Sequence, residues 1–341
     1  MKIYNFEDSL LTDTQRGIEI VAPHLKKVEG VYGYVDSSFD DSYIPVISGG
    51  GAGHEPSDWG FVGGNMLTAS ITGKLFEPPM PEEIIKVAKA VTKKKRAFFI
   101  IKNFEKDVRV FKQAIEYLRN VGWSIEYGIV NDDISVDASS LRKYRRGLAG
   151  TILIEKIIGT LAKKGKSLVD LKMVCEQLLP ETKTIGLAFS DSVLYKKSCH
   201  TLSLGKDDIY YGIGIHGEAG YRKEHWQKSE LMAREIVNKM RLNFRWQKKE
   251  NVALLVNNIG KISPMEELTF TADITELLEL EGLKIPFIKT GSFMTSHDMS
   301  GISVSILRLQ DKWLEYLKQP STCYAWPNSI WRWSRLHWQL F

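Results

Sequence analysis

Short apolar runs alternate along the chain with longer stretches in which apolar positions recur at helical spacing. The runs at 44–47, 97–101, 125–129, 184–188, 209–215, 252–256 and 302–309 read as strands. Between them, 81–92, 107–121, 150–164, 168–179, 228–242 and 266–281 are each long enough for a helix with an apolar stripe. This alternation predicts an α/β fold of two domains, each a parallel or mixed sheet flanked by helices. A length of 341 residues suits two domains, and the helix-breaking Leu179-Pro180-Glu181-Thr182 places their boundary near 181, giving 1–181 and 182–341.

Composition narrows the class without naming a function. Hydrophobic residues make up 43% and charged residues 26% of the chain, as in an ordinary globular protein. No run is long enough for a membrane helix, and the first residues lack the apolar stretch of a signal peptide, so a cytoplasmic location is expected. Cys175, Cys199 and Cys323 are scattered, which argues against disulfides and zinc knuckles. The net charge is +5, with basic groups at Lys93-Lys94-Lys95-Arg96 and Lys248-Lys249. Each lies between a helix end and an apolar strand, where cations complement the helix dipole, so no direct nucleic-acid contact is expected.

The candidate chemistry gathers in three places. Gly212-Ile213-Gly214-Ile215-His216-Gly217-Glu218-Ala219-Gly220 reads as a strand whose end leaves an imidazole exposed. A neutral ring nitrogen there could be a general base, a metal ligand or a nucleophile toward a carbonyl, or the histidine could be incidental to the turn. Ser48-Gly49-Gly50-Gly51-Ala52-Gly53-His54-Glu55-Pro56 reads as a strand-exit loop whose bared backbone can approach a small polar ligand. It matches no nucleotide motif: Thr72-Gly73-Lys74-Leu75 lacks the Walker A spacing, His54 stands where GxGxxG needs its third glycine, and Pro56 spoils a zincin helix. Third, Lys102 leaves one strand and Asp107 opens the next helix, where an aspartate commonly caps the first turn. In doubly wound sheets these strand ends converge on a common ligand.

Together these segments resemble the dihydroxyacetone-binding subunits of dihydroxyacetone kinases, the DhaK family. The resemblance extends through Arg146-Gly147-Leu148-Ala149-Gly150-Thr151, Leu255-Val256-Asn257-Asn258-Ile259-Gly260 and Gly291-Ser292-Phe293-Met294-Thr295-Ser296, covering residues 1 to about 320. It implies that His216 holds dihydroxyacetone as a covalent hemiaminal. It also implies that Gly51, Ala52 and Gly53, with the side chains of His54, Lys102 and Asp107, bind the hydroxyls, and that His54 and Asp107 assist proton transfer in the kinases. A carbonyl-trapping histidine rejects glycerol, which has no electrophilic carbon. No metal ligand set and no cofactor are expected on this chain.

The departures from the kinase pattern are Glu77-Pro78-Pro79 after Gly73-Lys74-Leu75-Phe76, Gly260-Lys261-Ile262 in place of Gly-Gly-Thr, and Glu155 where a histidine is usual. They make the chain most similar to the DhaQ-type branch. That branch implies a homodimeric coactivator that binds dihydroxyacetone and then a TetR-like regulator of a kinase operon. The alternative is a dihydroxyacetone-binding subunit of a phosphotransferase-system-dependent kinase. Outside the resemblance, Trp326, Trp331, Trp333 and Trp338 crowd the tail beside Arg332, Arg335 and His337, a weak pointer to a partner surface.

Overall fold

The computed structural model describes residues 3–135, 145–190, 205, 207–218, 220–310 and 312–326. In chain order the first part holds α1 (Leu10–Val21), β1 (Leu25–Val28), β2 (Gly33–Asp36), β3 (Val46–Ala52), β4 (Ala69–Leu75), α2 (Pro81–Val91), β5 (Arg96–Lys102), α3 (Glu105–Asn120) and β6 (Ser124–Val130). Next come α4 (Gly150–Lys163) and α5 (Leu168–Glu181), then β7 (Thr182–Ser190), β8 (Asp208–Tyr211), β9 (Arg222–His225), α6 (Ser229–Phe244) and β10 (Asn251–Gly260). The last elements are α7 (Pro264–Leu280), β11 (Lys284–Gly291), β12 (Ser300–Arg308) and α8 (Trp313–Leu317).

The strands form two six-stranded sheets, ordered β1-β2-β4-β3-β5-β6 and β11-β10-β12-β7-β8-β9. In the first, β4, β3, β5 and β6 run parallel, and β1 and β2 add an antiparallel edge. The second is antiparallel apart from the β10–β11 pair. The expected α/β class with mixed, helix-flanked sheets is what the chain adopts.

Side-chain burial shows how the layers stack. Phe98 and Ile100 of β5 face α4 and α5, while Phe99 and Ile101 face α2 and α3. A strand apolar on both faces is the signature of a sheet covered on both sides. Ala253 and Leu255 of β10 join the same central core, and Val252, Leu254 and Val256 meet α6 and α7 instead. Helices α4 and α5 are therefore shared filling between the two sheets. Residues 150–162 of α4 are all buried, Glu155 and Lys156 included, which explains why apolar positions occupy most of the helix circumference.

Several sequence expectations need correction. The glycine run is not a loop, because Gly49, Gly50 and Gly51 stay in β3. The strand expected at 209–215 ends at Tyr211, where Gly212 turns the chain with φ +81°. His216 thus lies in the connection of the β8–β9 hairpin, not on a strand end. Pro180 does not stop α5, which includes it and runs to Glu181, where β7 begins. Asp107 is no N-cap, since α3 starts two residues earlier behind Phe104. Trp326 packs inward, stacked on Phe287 at 6.0 Å; Trp331, Arg332, Trp333, Arg335, His337, Trp338 and Cys199 lie outside the described residues.

Candidate functional site

The site forms where the carboxyl ends of β3 and β5 face the β8–β9 connection. Parallel strands release their loops on one side, so residues far apart in sequence meet there. Glycine in β3 is required by what lies over it. A Cβ on Gly50 would come within 3.2 Å of Lys102 Cε and 3.3 Å of Asp107 Oδ1, and one on Gly51 would meet the Glu77 amide nitrogen at 2.7 Å. Below this bare backbone Lys102 is buried, and its ammonium donates to both Asp58 carboxylate oxygens, at 2.7 and 2.8 Å. Burial alone would depress Lys102, but Asp58, Glu155 and Asp107 hold its pKa above the ordinary value. Asp107 is also buried, and the loss of solvent lifts its carboxyl to about 6 against the pull of Lys102.

His54 follows the strand with its ring buried. Nδ1 lies 2.9 Å from the Thr295 carbonyl, which can only accept, so Nδ1 carries the proton and Nε2 the lone pair. Among the described residues Nε2 has no hydrogen-bond partner. Burial, reinforced by the neighbouring His216, pushes the His54 pKa well below its ordinary value, so the ring is neutral. The 53–55 segment is clamped from the second sheet: the amides of Thr295 and His297 donate to the carbonyls of His54 and Gly53, and the Thr295 hydroxyl donates to that of Glu55. Gly53 N–H is itself engaged by the Glu55 carboxylate at 3.0 Å, and the Ala52 carbonyl by the Phe76 amide at 2.9 Å.

His216 completes the arrangement. Its ring centroid lies 4.8 Å from that of His54, 4.5 Å from Phe104 and 5.6 Å from Phe76. Nδ1 sits 3.1 Å from Glu218 Oε1, and the His216 amide donates to Oε2 at 3.1 Å. Burial would raise the Glu218 pKa, but the His216 bond and the Arg146 charge prevail and bring it to about 2. An ionised carboxylate can only accept, so Nδ1 keeps its proton and donates it in the hydrogen bond, which leaves the lone pair on Nε2. Arg146 pins the hairpin connection, donating to Asp133 at 2.6 Å and to the Gly212 carbonyl at 2.7 Å, with Glu218 3.7 Å away.

The structure therefore gathers His54, Lys102, Asp107 and His216 around Gly50 and Gly51. The sequence reading did not assign roles to Asp58, Arg146, Glu218 or Thr295. Glu218 had a local signal, two residues beyond His216. Asp58 had none, and Thr295 stood in a matched segment with nothing to tie it to His54, both being placed by tertiary folding. Among the described residues, no cluster of three or more His, Cys, Asp or Glu side chains could hold a metal, and no helix is long and apolar enough to cross a membrane.

Comparison with known proteins places the chain in a family. The DhaKLM operon coactivator DhaQ of Lactococcus lactis subsp. lactis is 42% identical, over 96% of this chain and 100% of that one. The dihydroxyacetone-binding subunit DhaK of a PTS-dependent dihydroxyacetone kinase from Listeria innocua is 35% identical, over 95% and 99%. A solved structure described as a dihydroxyacetone kinase operon co-activator, Dha-DhaQ, superposes with a TM-score of 0.88 at 41% identity, covering 92% of this chain and 97% of that one. The dihydroxyacetone kinase of C. freundii superposes with a TM-score of 0.86 at 28% identity, covering 96% of this chain and 60% of the kinase. The Dak1 domain model matches residues 16–325. The chain belongs to the Dak1 domain family.

Proposed function

We propose that the protein traps dihydroxyacetone on His216 and, loaded, acts as a coactivator for a TetR-like regulator of a dihydroxyacetone kinase operon. The observation that carries the first half is the His216–Glu218 pair, which fixes the tautomer with a lone pair on Nε2. Nε2 attacks the ketone carbon, a C–N bond forms, and the carbonyl π electrons move to oxygen. That oxygen takes up a proton, which Asp107 can supply because its carboxyl titrates near 6 and lies close enough to feel the ring's charge. The resulting imidazolium is balanced by Glu218. Lys102 and the bare strand at Gly50 and Gly51 suit the hydroxyls. Kinship with the DhaQ coactivator supports the regulatory half.

Coactivation requires a partner that distinguishes loaded from empty protein. The hemiaminal would tie the β8–β9 connection across the first sheet, and that closed form is what the regulator would read. Native intact-mass analysis should show one added triose per chain, and capture of the regulator should depend on the ketone. An unmodified mass, or capture indifferent to the ketone, sinks the reading.

A second reading is favoured by one observation. His54 and Asp107, the proton-handling pair that the resemblance implies for the kinases, both lie in the site. Turnover of dihydroxyacetone at an ordinary kinase rate with the family's nucleotide subunit and a phosphate donor would establish a kinase subunit instead.

A further inference from the structure

Helix α4 carries two adjacent ionisable side chains between the sheets, Glu155 and Lys156, neither with any exposure. They face different surroundings. Lys156 donates to the Asn65 carbonyl at 3.1 Å, with Cys323, Lys289 and Lys163 around it. Glu155 faces Ser48 of β3, Asp58 and Lys102. Among the described residues the Ser48 hydroxyl is the one hydrogen-bonding neighbour of the Glu155 carboxyl, and it makes no bond of good geometry to either oxygen.

A buried carboxylate is costly unless a cation pairs with it. The ammonium within its influence belongs to Lys102, and Asp58 already holds that ammonium with both oxygens. Three carboxyls, those of Asp58, Asp107 and Glu155, thus compete for one lysine. We propose that Glu155 is a positioning residue for Lys102: uncharged, it leaves the ammonium on Asp58 beneath Gly50, and ionised, it competes with Asp58 and draws the ammonium away from the cradle. On ionisation the carboxyl proton leaves to solvent.

The surroundings agree. Burial, with the like charge of Asp58, lifts Glu155 to about 8 against the attraction of Lys102. The groups that bear on it are Asp58 from the loop after β3, Lys102 from β5 and, more weakly, Cys323 from the segment after α8. Asp107 from α3 acts on the same lysine. Lys156 on the same helix also titrates near 8 and needs its own control.

The proposal rests on the cradle being the dihydroxyacetone site, and the test separates the two. Calorimetric affinity for dihydroxyacetone is measured on the full chain from about pH 7 to about pH 9. The native protein should lose about tenfold more affinity across that range than Glu155→Gln, the fraction of uncharged Glu155 setting the fall beyond that from the proton taken up when the imidazolium forms. Glu155→Gln should show only the fall common to all variants, and Lys156→Met should keep the native one. Glu155→Met, which needs no hydrogen bond, should behave like Glu155→Gln and serves if the amide variant does not fold. A native protein whose affinity is flat with pH, or a Glu155→Gln variant that falls equally, overturns the proposal. A native protein that binds no ketone at any pH overturns the reading of the cradle itself, and this proposal with it.

Discussion

Two histidines share the site and are held by different acceptors. His54 follows a strand of the first sheet, is 2% exposed, and donates an Nδ1–H hydrogen bond to the Thr295 backbone carbonyl. His216 sits in a hairpin connection of the second sheet, keeps 21% of its side chain exposed, and donates an Nδ1–H hydrogen bond to the Glu218 carboxylate. A carbonyl fixes a tautomer and adds no full charge, so His54 stays neutral in its burial. A carboxylate also stabilises the imidazolium that forms when the other nitrogen makes a bond. On the proposed reading, acceptor chemistry, more than the ring, separates the proton-handling histidine from the nucleophilic one.

The sharpest break of this contrast is His216→Ala, which should abolish the added triose in native mass spectra. Persistence of the adduct would move the nucleophile elsewhere. Next in size is Glu218→Gln, which keeps an acceptor but removes the charge. Ketone affinity should fall by roughly 10- to 100-fold, the usual scale for a partner that tunes an imidazole. Glu218 also carries a pH signature. Its folded pKa of about 2 lies below the ordinary 4.5, so its contribution to stability is present above about pH 4.5 and is lost as pH falls toward 2. Acid unfolding should therefore shift less in Glu218→Gln than in the native chain, read as unfolding midpoint against pH.

Asp107→Asn tests the buried acid beneath both rings. Here the folded pKa of about 6 lies above the ordinary 3.8, so the stabilising contribution is full below about pH 3.8 and lost as pH rises through 6. At neutral pH the native chain carries an ionised, buried carboxylate that the amide removes. The variant should be more stable by about 1–2 kcal/mol at pH 7 in denaturant melts, with the gain vanishing near about pH 4. A variant equally stable at both would show that Lys102 compensates Asp107 fully.

How much of this was legible follows from which contacts are local. Strands β5 and β10 were readable because burial on both faces leaves unbroken apolar runs. The edge hairpin β1–β2 was not, since Lys26 and Lys27 of β1 face solvent and leave no run. The strand expected through Ile215 failed for the opposite reason: Ile213 and Ile215 are apolar because the hairpin connection buries them, not because they pair in a sheet. Lys102, Asp107 and His216 stood out because strand ends and glycine turns mark them in sequence. Their partners did not, because Asp58 is 44 residues from Lys102 and Thr295 is 241 from His54.

The smallest expected effect is the most discriminating. His54→Asn puts an amide N–H near the place of Nδ1, so the Thr295 carbonyl keeps a donor and no buried acceptor is orphaned. The imidazole Nε2 lone pair disappears with the ring. If His54 handles protons only at a transferred hydroxyl, trapping of the ketone on His216 should change by no more than about threefold, within the spread of ordinary surface substitutions. Loss of the adduct on the scale of His216→Ala would mean that the two rings act as one unit, with His54 taking part in C–N bond formation. Their 4.8 Å centroid separation and edge-on orientation permit that, and the different acceptors argue against it. Native mass spectra of the two variants at equal ketone concentration decide between a division of labour and a coupled pair.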